Sequence, residues 1–171
     1  QQVYKLNLWG SNGAVYFSGE GSHEPTLIEP YIKLVSDFLK SFNHPITVCD
    51  FGCGDFNIGK HFVALTTRYT AIDIVPELIE YNREKFIANN LNFECLDIAT
   101  DHLPKADCVI IRQVLQHLSN QEIKQILNKL NQYKYIILTE HLPEGGFIPN
   151  IDIISGQGIR IKKKRTIKKR W

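Results

Sequence analysis

The stretch that decides the fold is VCDFGCGDFNIGK, Val48 to Lys60. A short apolar run ends at an acid, Asp50. Two glycines follow two positions apart, Gly52 and Gly54, and a further acid, Asp55, comes directly after them. In a parallel sheet, ligands meet the chain outside the carboxyl ends of the strands, and this stretch has the composition of such an end. Gly52 lets the chain turn without a Cβ in the way, and Gly54 lets a ligand come close to the backbone.

The same pattern recurs outward from this point. ITVCDF reads as a strand, NIGKHFVAL as a helix, and YTAIDI as a second strand ending at Asp73. PELIEYNREKFIANN reads as a helix with Pro76 in its first turn and Glu77 beside it. LNFECLDI is a third strand ending in Asp97-Ile98, and ADCVIIRQVL a fourth apolar run. NQEIKQILNKLNQY is an amphipathic helix and KYIILTEHL a fifth strand. Upstream, TLIEPYIKLVSDFLKSF has apolar residues at helical spacing, with Pro30 in the early turns. Strands alternating with helices predict a mostly parallel sheet covered on both faces. The continuous runs CVII and YIIL suit strands buried on both sides. With right-handed crossovers the expectation is α/β: a three-layer, Rossmann-like, doubly wound sheet. One domain spans 1–171, with an N-terminal arm or lid in 1–25, the core in 26–158 and a basic tail in 159–171.

At 171 residues the chain can bury a core, and 22% charged residues are ordinary for a globular domain. No apolar run approaches the roughly 18 residues that span a membrane. No basic segment followed by an apolar one opens the chain, which predicts no signal peptide and a cytoplasmic location. Cys49, Cys53, Cys95 and Cys108 form no C-x-x-C pair, so they read as buried reduced thiols, and no metal site is expected. The net charge of +2 hides an asymmetry. Residues 160–171 carry eight basic side chains and no acid, leaving twelve basic against eighteen acidic residues before them, a net −6. The tail is either a solvated end or a contact for nucleic acid or an anionic surface.

The acids after successive strands sharpen the reading. Asp73 lies 19 residues beyond Gly54, where an acid can accept two hydrogen bonds from a ribose diol. Asp97 is placed to take an adenine amino group, with Ile74 and Ile98 able to sandwich the ring. Asp50 either organises the loop or meets an amino group. Any one of these acids reads equally as a helix cap. Three of them after three successive strands, with GxG between the first two, point to a nucleoside with a cationic, amino-acid-like end. The third glycine of the dinucleotide fingerprint is Asn57 here, which disfavours a dinucleotide.

With these residues in place the sequence resembles the class I S-adenosylmethionine-dependent methyltransferases. VCDFGCGDFNIG, AIDIVPELIEYNREKF, ECLDIATDHLPKADCVIIRQVLQHLS and YIILTEHLP carry the likeness, over about residues 15–158. RQVLQHLSN resembles a bacterial subgroup. The resemblance implies that Asp50, Gly52, Cys53 and Gly54 line the methionine part of S-adenosylmethionine. It implies that Asp73 holds the ribose, Ile74 packs on adenine, and Asp97 with Ile98 meets the adenine edge. Arg112 and Gln113 would sit at the junction of cofactor and substrate. The implied reaction is methyl transfer, with a small-molecule acceptor preferred and nucleic acid reachable only through the tail. His117 and His141 are the candidate general bases, with Glu140 and His23 behind them. Arg112 could orient an anionic substrate or form a salt bridge. The sequence departs from the family at Phe56, where a third glycine is frequent, and after ISGQGIRI, where the usual two further strands are missing or truncated. An uncovered fifth strand would be a sticky edge open to oligomerisation. Two alternatives stay open: a nicotinamide-dependent oxidoreductase, opposed by the missing glycine and the absence of a catalytic Tyr/Lys pattern, and a non-catalytic domain that binds a nucleoside or a partner.

Overall fold

The computed structural model describes residues 16–140, 147–148, 151–156 and 162–163. Five short strands form its centre: β1 (Thr47–Phe51), β2 (Arg68–Asp73), β3 (Leu91–Cys95), β4 (Cys108–Arg112) and β5 (Tyr135–Thr139). They lie in the order β3-β2-β1-β4-β5 and every pairing is parallel. The order reverses between β1 and β4, so the loops after these two strands diverge and leave a crevice at their carboxyl ends.

Alternation along the strands sorts the core into two layers. Val48 of β1, Tyr69 and Ala71 of β2, and Cys108 and Ile110 of β4 join one buried cluster with Val35 and Leu39. Cys49, Phe51, Ile72, Val109 and Ile111 join the other, with Ile126 and Leu130. The first layer is closed by helix α1 (Pro25–Lys40), together with Ile79 of α2 (Pro76–Lys85). The second is closed by α3 (Asn120–Lys129). The helix starts follow from local chemistry. Pro25 and Pro76 occupy first-turn positions, where a missing N–H costs nothing. Ser119 and Glu122 form a reciprocal capping box at the start of α3.

Four expectations are corrected. The expected helix NIGKHFVAL is two 3-10 turns, Gly59–His61 and Val63–Leu65. Phe56 before it has φ +60°, and Gly59 rests against the Phe56 ring, so tertiary contact sets the backbone path where helix propensity is weak. The second helix stops at Lys85 rather than running to Asn90, because Phe86 turns extended and packs its ring 5.2 Å from that of Phe56. Asp97 lies two residues past β3 rather than within it. Of the four cysteines, all free, Cys49 and Cys108 are buried, Cys53 is half-buried and Cys95 is exposed.

The outer face of β5 is open among the described residues, with Ile136 48% and Leu138 47% exposed. A separate antiparallel pair joins β6 (Phe147–Ile148) to β7 (Lys162–Lys163). His141 and most of the basic tail, like residues 1–15 of the expected arm, lie outside the described residues.

Candidate functional site

A cleft of about 540 Å³ opens at the carboxyl ends of β1, β2 and β4, within the size range of small-molecule sites. Its floor is the glycine turn. Gly52 has φ +71°, and a Cβ there would stand 2.4 Å from Val114 Cγ2, so conformation and packing both require glycine. The Gly52 and Cys53 N–H groups both donate to Ile72 O, at 2.8 and 2.9 Å, which ties the turn to β2. Cys53, Gly54 and Asp55 continue along the cleft wall.

Asp50 is 7% exposed at the base of the turn and accepts a hydrogen bond from the Tyr69 hydroxyl at 2.9 Å. Burial pushes its carboxyl up to about 7, against the opposing pull of that hydrogen bond, and nearby Asp73 adds to the rise. A cation in the cleft would relieve this cost. Asp73 ends β2, half-buried, with Oδ2 accepting Gly54 N–H and Oδ1 accepting Val75 N–H, both at 3.1 Å. Burial raises its carboxyl, and the backbone N–H groups of Gly54, Val75 and Ile74 hold it back. Each oxygen keeps a further lone pair for a ligand.

Asp97 borders the cleft with Oδ1 taken by Ala99 N–H at 2.8 Å. Ile98 is buried at the cleft wall, and Ile74, 60% exposed, stands on the same cleft. Asp50, Gly52, Cys53, Gly54, Asp73, Ile74, Asp97, Ile98, Arg112, Gln113 and His117 are thus all brought to one cavity.

The residues after β4 show what the sequence left out. Gln113 has φ +56°, a left-handed conformation rare for a residue with a side chain, and its N–H donates to Thr139 O at 2.7 Å. The turn Leu115–His117 follows, and His117 faces the cleft. Glu140 does not fit the role of a base. Its Oε1 accepts Val114 and Leu115 N–H at 3.1 and 2.8 Å, and its Oε2 accepts Gln116 N–H at 3.3 Å. His23 pairs with Asp55 at 2.6 Å. Arg112 forms no salt bridge among the described residues. It lies over the Tyr31 ring at 5.1 Å and donates to Gly21 O at 2.6 Å and Ser22 Oγ at 3.1 Å. Arg112 Nε is a buried polar atom with no hydrogen-bond partner among the described residues. Tyr31 and Asp55 were missed because neither spacing nor a strand end marks them. The diagonal of Tyr69 to Asp50 across β1 and β2 was legible once the register was known.

A doubly wound parallel sheet with a glycine turn and acids at the strand ends defines a Rossmann-like domain with its cleft at the switch point. Comparison with known proteins narrows this further. A family model described as a methyltransferase domain matches residues 49–133. A malonyl-[acyl-carrier protein] O-methyltransferase of Acetivibrio thermocellus is 37% identical over 90 residues, covering 51% of this chain and 31% of that protein. The chain therefore spans about a third of the length of that curated relative. Among solved structures, the N-methyltransferase NodS of Bradyrhizobium japonicum with S-adenosyl-L-homocysteine aligns at TM-score 0.58 and 17% identity, over 77% of this chain and 66% of that one. Magnesium protoporphyrin IX methyltransferase of Synechocystis, with bound S-adenosylmethionine, aligns at TM-score 0.55 and 18% identity, over 76% and 64%. At such identities the structural likeness speaks for the fold. The chain thus matches a methyltransferase domain over residues 49–133 and is similar to S-adenosylmethionine-dependent methyltransferases in sequence and fold.

Proposed function

We propose that this chain binds S-adenosylmethionine in the cleft and transfers its methyl group to a small-molecule acceptor. The observation that carries the reading is the pairing of Gly54 with Asp73. Gly54 N–H bonds to a carboxylate oxygen at the end of β2, placing an acceptor for a diol beside a backbone a ligand can approach. The donor set fits the cofactor. Asp73 would hold the ribose hydroxyls. Ile74 and Ile98 would flank the adenine, with Asp97 at its edge. Asp50, buried without an ion-pair partner among the described residues, suits a cationic end.

When bound, S-adenosylmethionine supplies an electrophilic methyl on a sulfonium centre and a thioether leaving group. The work of the chain is alignment and exclusion of water. The glycine turn and Asp50 would fix the amino-acid end, and Gln113 would stand where the acceptor enters. His117 would take a proton from an acceptor that must lose one; His141 is the second candidate for that task. An acceptor that is already a nucleophile needs neither. The open face of β5 would support self-association, and the tail would be the only route to nucleic acid.

Calorimetric titration with S-adenosylhomocysteine tests the cofactor reading. Micromolar, one-to-one binding is expected. A folded sample that binds NAD but not S-adenosylhomocysteine would replace the reading with the oxidoreductase one.

A further inference from the structure

The segment Ser18–His23 crosses the cleft and is fastened to the body of the domain at two points. The first is Asp55, buried directly after the glycine turn. Its Oδ2 accepts Ser18 N–H at 3.0 Å and bonds His23 Nε2 at 2.6 Å, and its own N–H donates to Ser18 Oγ at 2.8 Å. Asn57 Nδ2, two residues on, donates to Ser22 O at 2.8 Å. The second point is Arg112, the last residue of β4, on the far side of the switch point, through Gly21 O and Ser22 Oγ. Between the two points Gly19 and Gly21 present backbone to the cavity. A Cβ on Gly21 would come within 3.1 Å of the Gln113 amide. The Phe17 ring stacks on His23 at 4.5 Å and is itself buried, which anchors the strap at its outer end.

We infer that Asp55 is a positioning residue that latches Ser18–His23 across the cofactor cleft, so that cofactor exchange requires this strap to release. The inference rests on the cofactor reading above and adds a kinetic property to it. These hydrogen bonds join the strap to the glycine loop and to the last residue of β4, the two elements that frame the cleft. The strap is therefore its outer wall. It carries few apolar anchors besides Phe17, so its attachment depends on polar contacts that open more readily than a packed core does. Arg112, spent on the strap, is a fastening and not an anion receptor for the acceptor.

The test places variants on the strap itself, leaving the body intact: His23→Ala, His23→Gln and Ser18→Ala. Two quantities are read on the full chain. One is hydrogen exchange of residues 16–23 without ligand. The other is release of tritiated S-adenosylhomocysteine into an excess of unlabelled compound. His23→Ala and Ser18→Ala are expected to lose amide protection in the strap and to release ligand at least about tenfold faster. His23→Gln keeps a donor for Asp55 and is expected to stay within about threefold of the unaltered protein. Unchanged strap protection in both alanine variants overturns the latch. Lost protection with an unchanged release rate overturns the gate. A folded, unaltered protein that binds no S-adenosylhomocysteine ends the cofactor reading and the gate with it, while the exchange data still decide the latch.

Discussion

The Asp50 carboxylate accepts the Tyr69 hydroxyl at 2.9 Å beneath the glycine turn, and burial holds it near pH 7 rather than at its ordinary value. In the unfolded chain Asp50 loses its proton near pH 4. Between that point and about pH 7 the folded state binds more protons, so this group lowers stability as pH rises through the window. Asp50→Asn keeps an oxygen for Tyr69 and carries no charge. Its stability relative to the unaltered protein should improve by about 1–3 kcal/mol between pH 4 and pH 8, while its affinity for S-adenosylhomocysteine falls. Urea unfolding at both pH values measures this. A difference that does not change with pH means Asp50 is not the group that titrates.

Gly59 admits no side chain. A Cβ would stand 2.4 Å from Phe56 Cε2 and 2.8 Å from Asp50 Oδ2, and both neighbours are buried. The Phe56 ring is held by edge contacts to Tyr69 and Phe93 at 5.7 and 4.9 Å, so it has little room to yield. Gly59→Ala should cost about 1–3 kcal/mol by overpacking, read as a lower urea midpoint at unchanged slope. A loss below about 0.5 kcal/mol, the range of an ordinary surface change, would show that the ring can move aside.

The parallel sheet was legible because each strand is an apolar run closed by a polar or acidic residue, and the topology follows once helices separate the runs. The glycine turn and Asp73 were legible because a strand end fixes where a short acid can point, whereas Asp97 stands two residues past the end of β3 and still borders the cleft. The stretch 57–65 was not, because an apolar pattern there fits a helix as well as two 3-10 turns. A contact between Gly59 and Phe56, together with an unusual φ at Phe56, decides between them. Phe56 was visible only as a missing glycine. In the structure Phe56 stands in the left-handed region, where glycine is the commoner residue, and its ring is fully buried. Asp55 and Arg112 could not be assigned from sequence, since their partners lie 32 to 37 and 90 to 91 residues away.

Glu140 anchors the turn after β4 through three successive backbone N–H groups, from Val114 to Gln116. Glu140→Gln replaces one accepting oxygen with an NH₂ group that faces other donors. The expected loss is about 1–3 kcal/mol of stability, with faster hydrogen exchange confined to residues 113–118. A general base would behave otherwise: the glutamine variant would unfold as the unaltered protein does and keep its exchange pattern. That outcome would return Glu140 to the list of catalytic candidates.

Asp73 combines a structural and a proposed ligand-binding duty, and the two can be separated. Its oxygens take Gly54 and Val75 N–H, so removing the carboxylate loosens the glycine turn whatever binds there. Asp73→Asn should weaken S-adenosylhomocysteine by about 1–3 kcal/mol, but that loss alone does not identify the ribose as the partner. The second leg of a double-mutant cycle does. The 2′-deoxy analogue lacks one hydroxyl of the diol, and the unaltered protein should bind it more weakly than S-adenosylhomocysteine. In Asp73→Asn that preference should shrink, because the group that reads the diol has changed. Equal preference in both proteins, measured by calorimetry on samples of unchanged circular dichroism, would leave Asp73 as a support for the loop and assign the diol to another residue of the cleft.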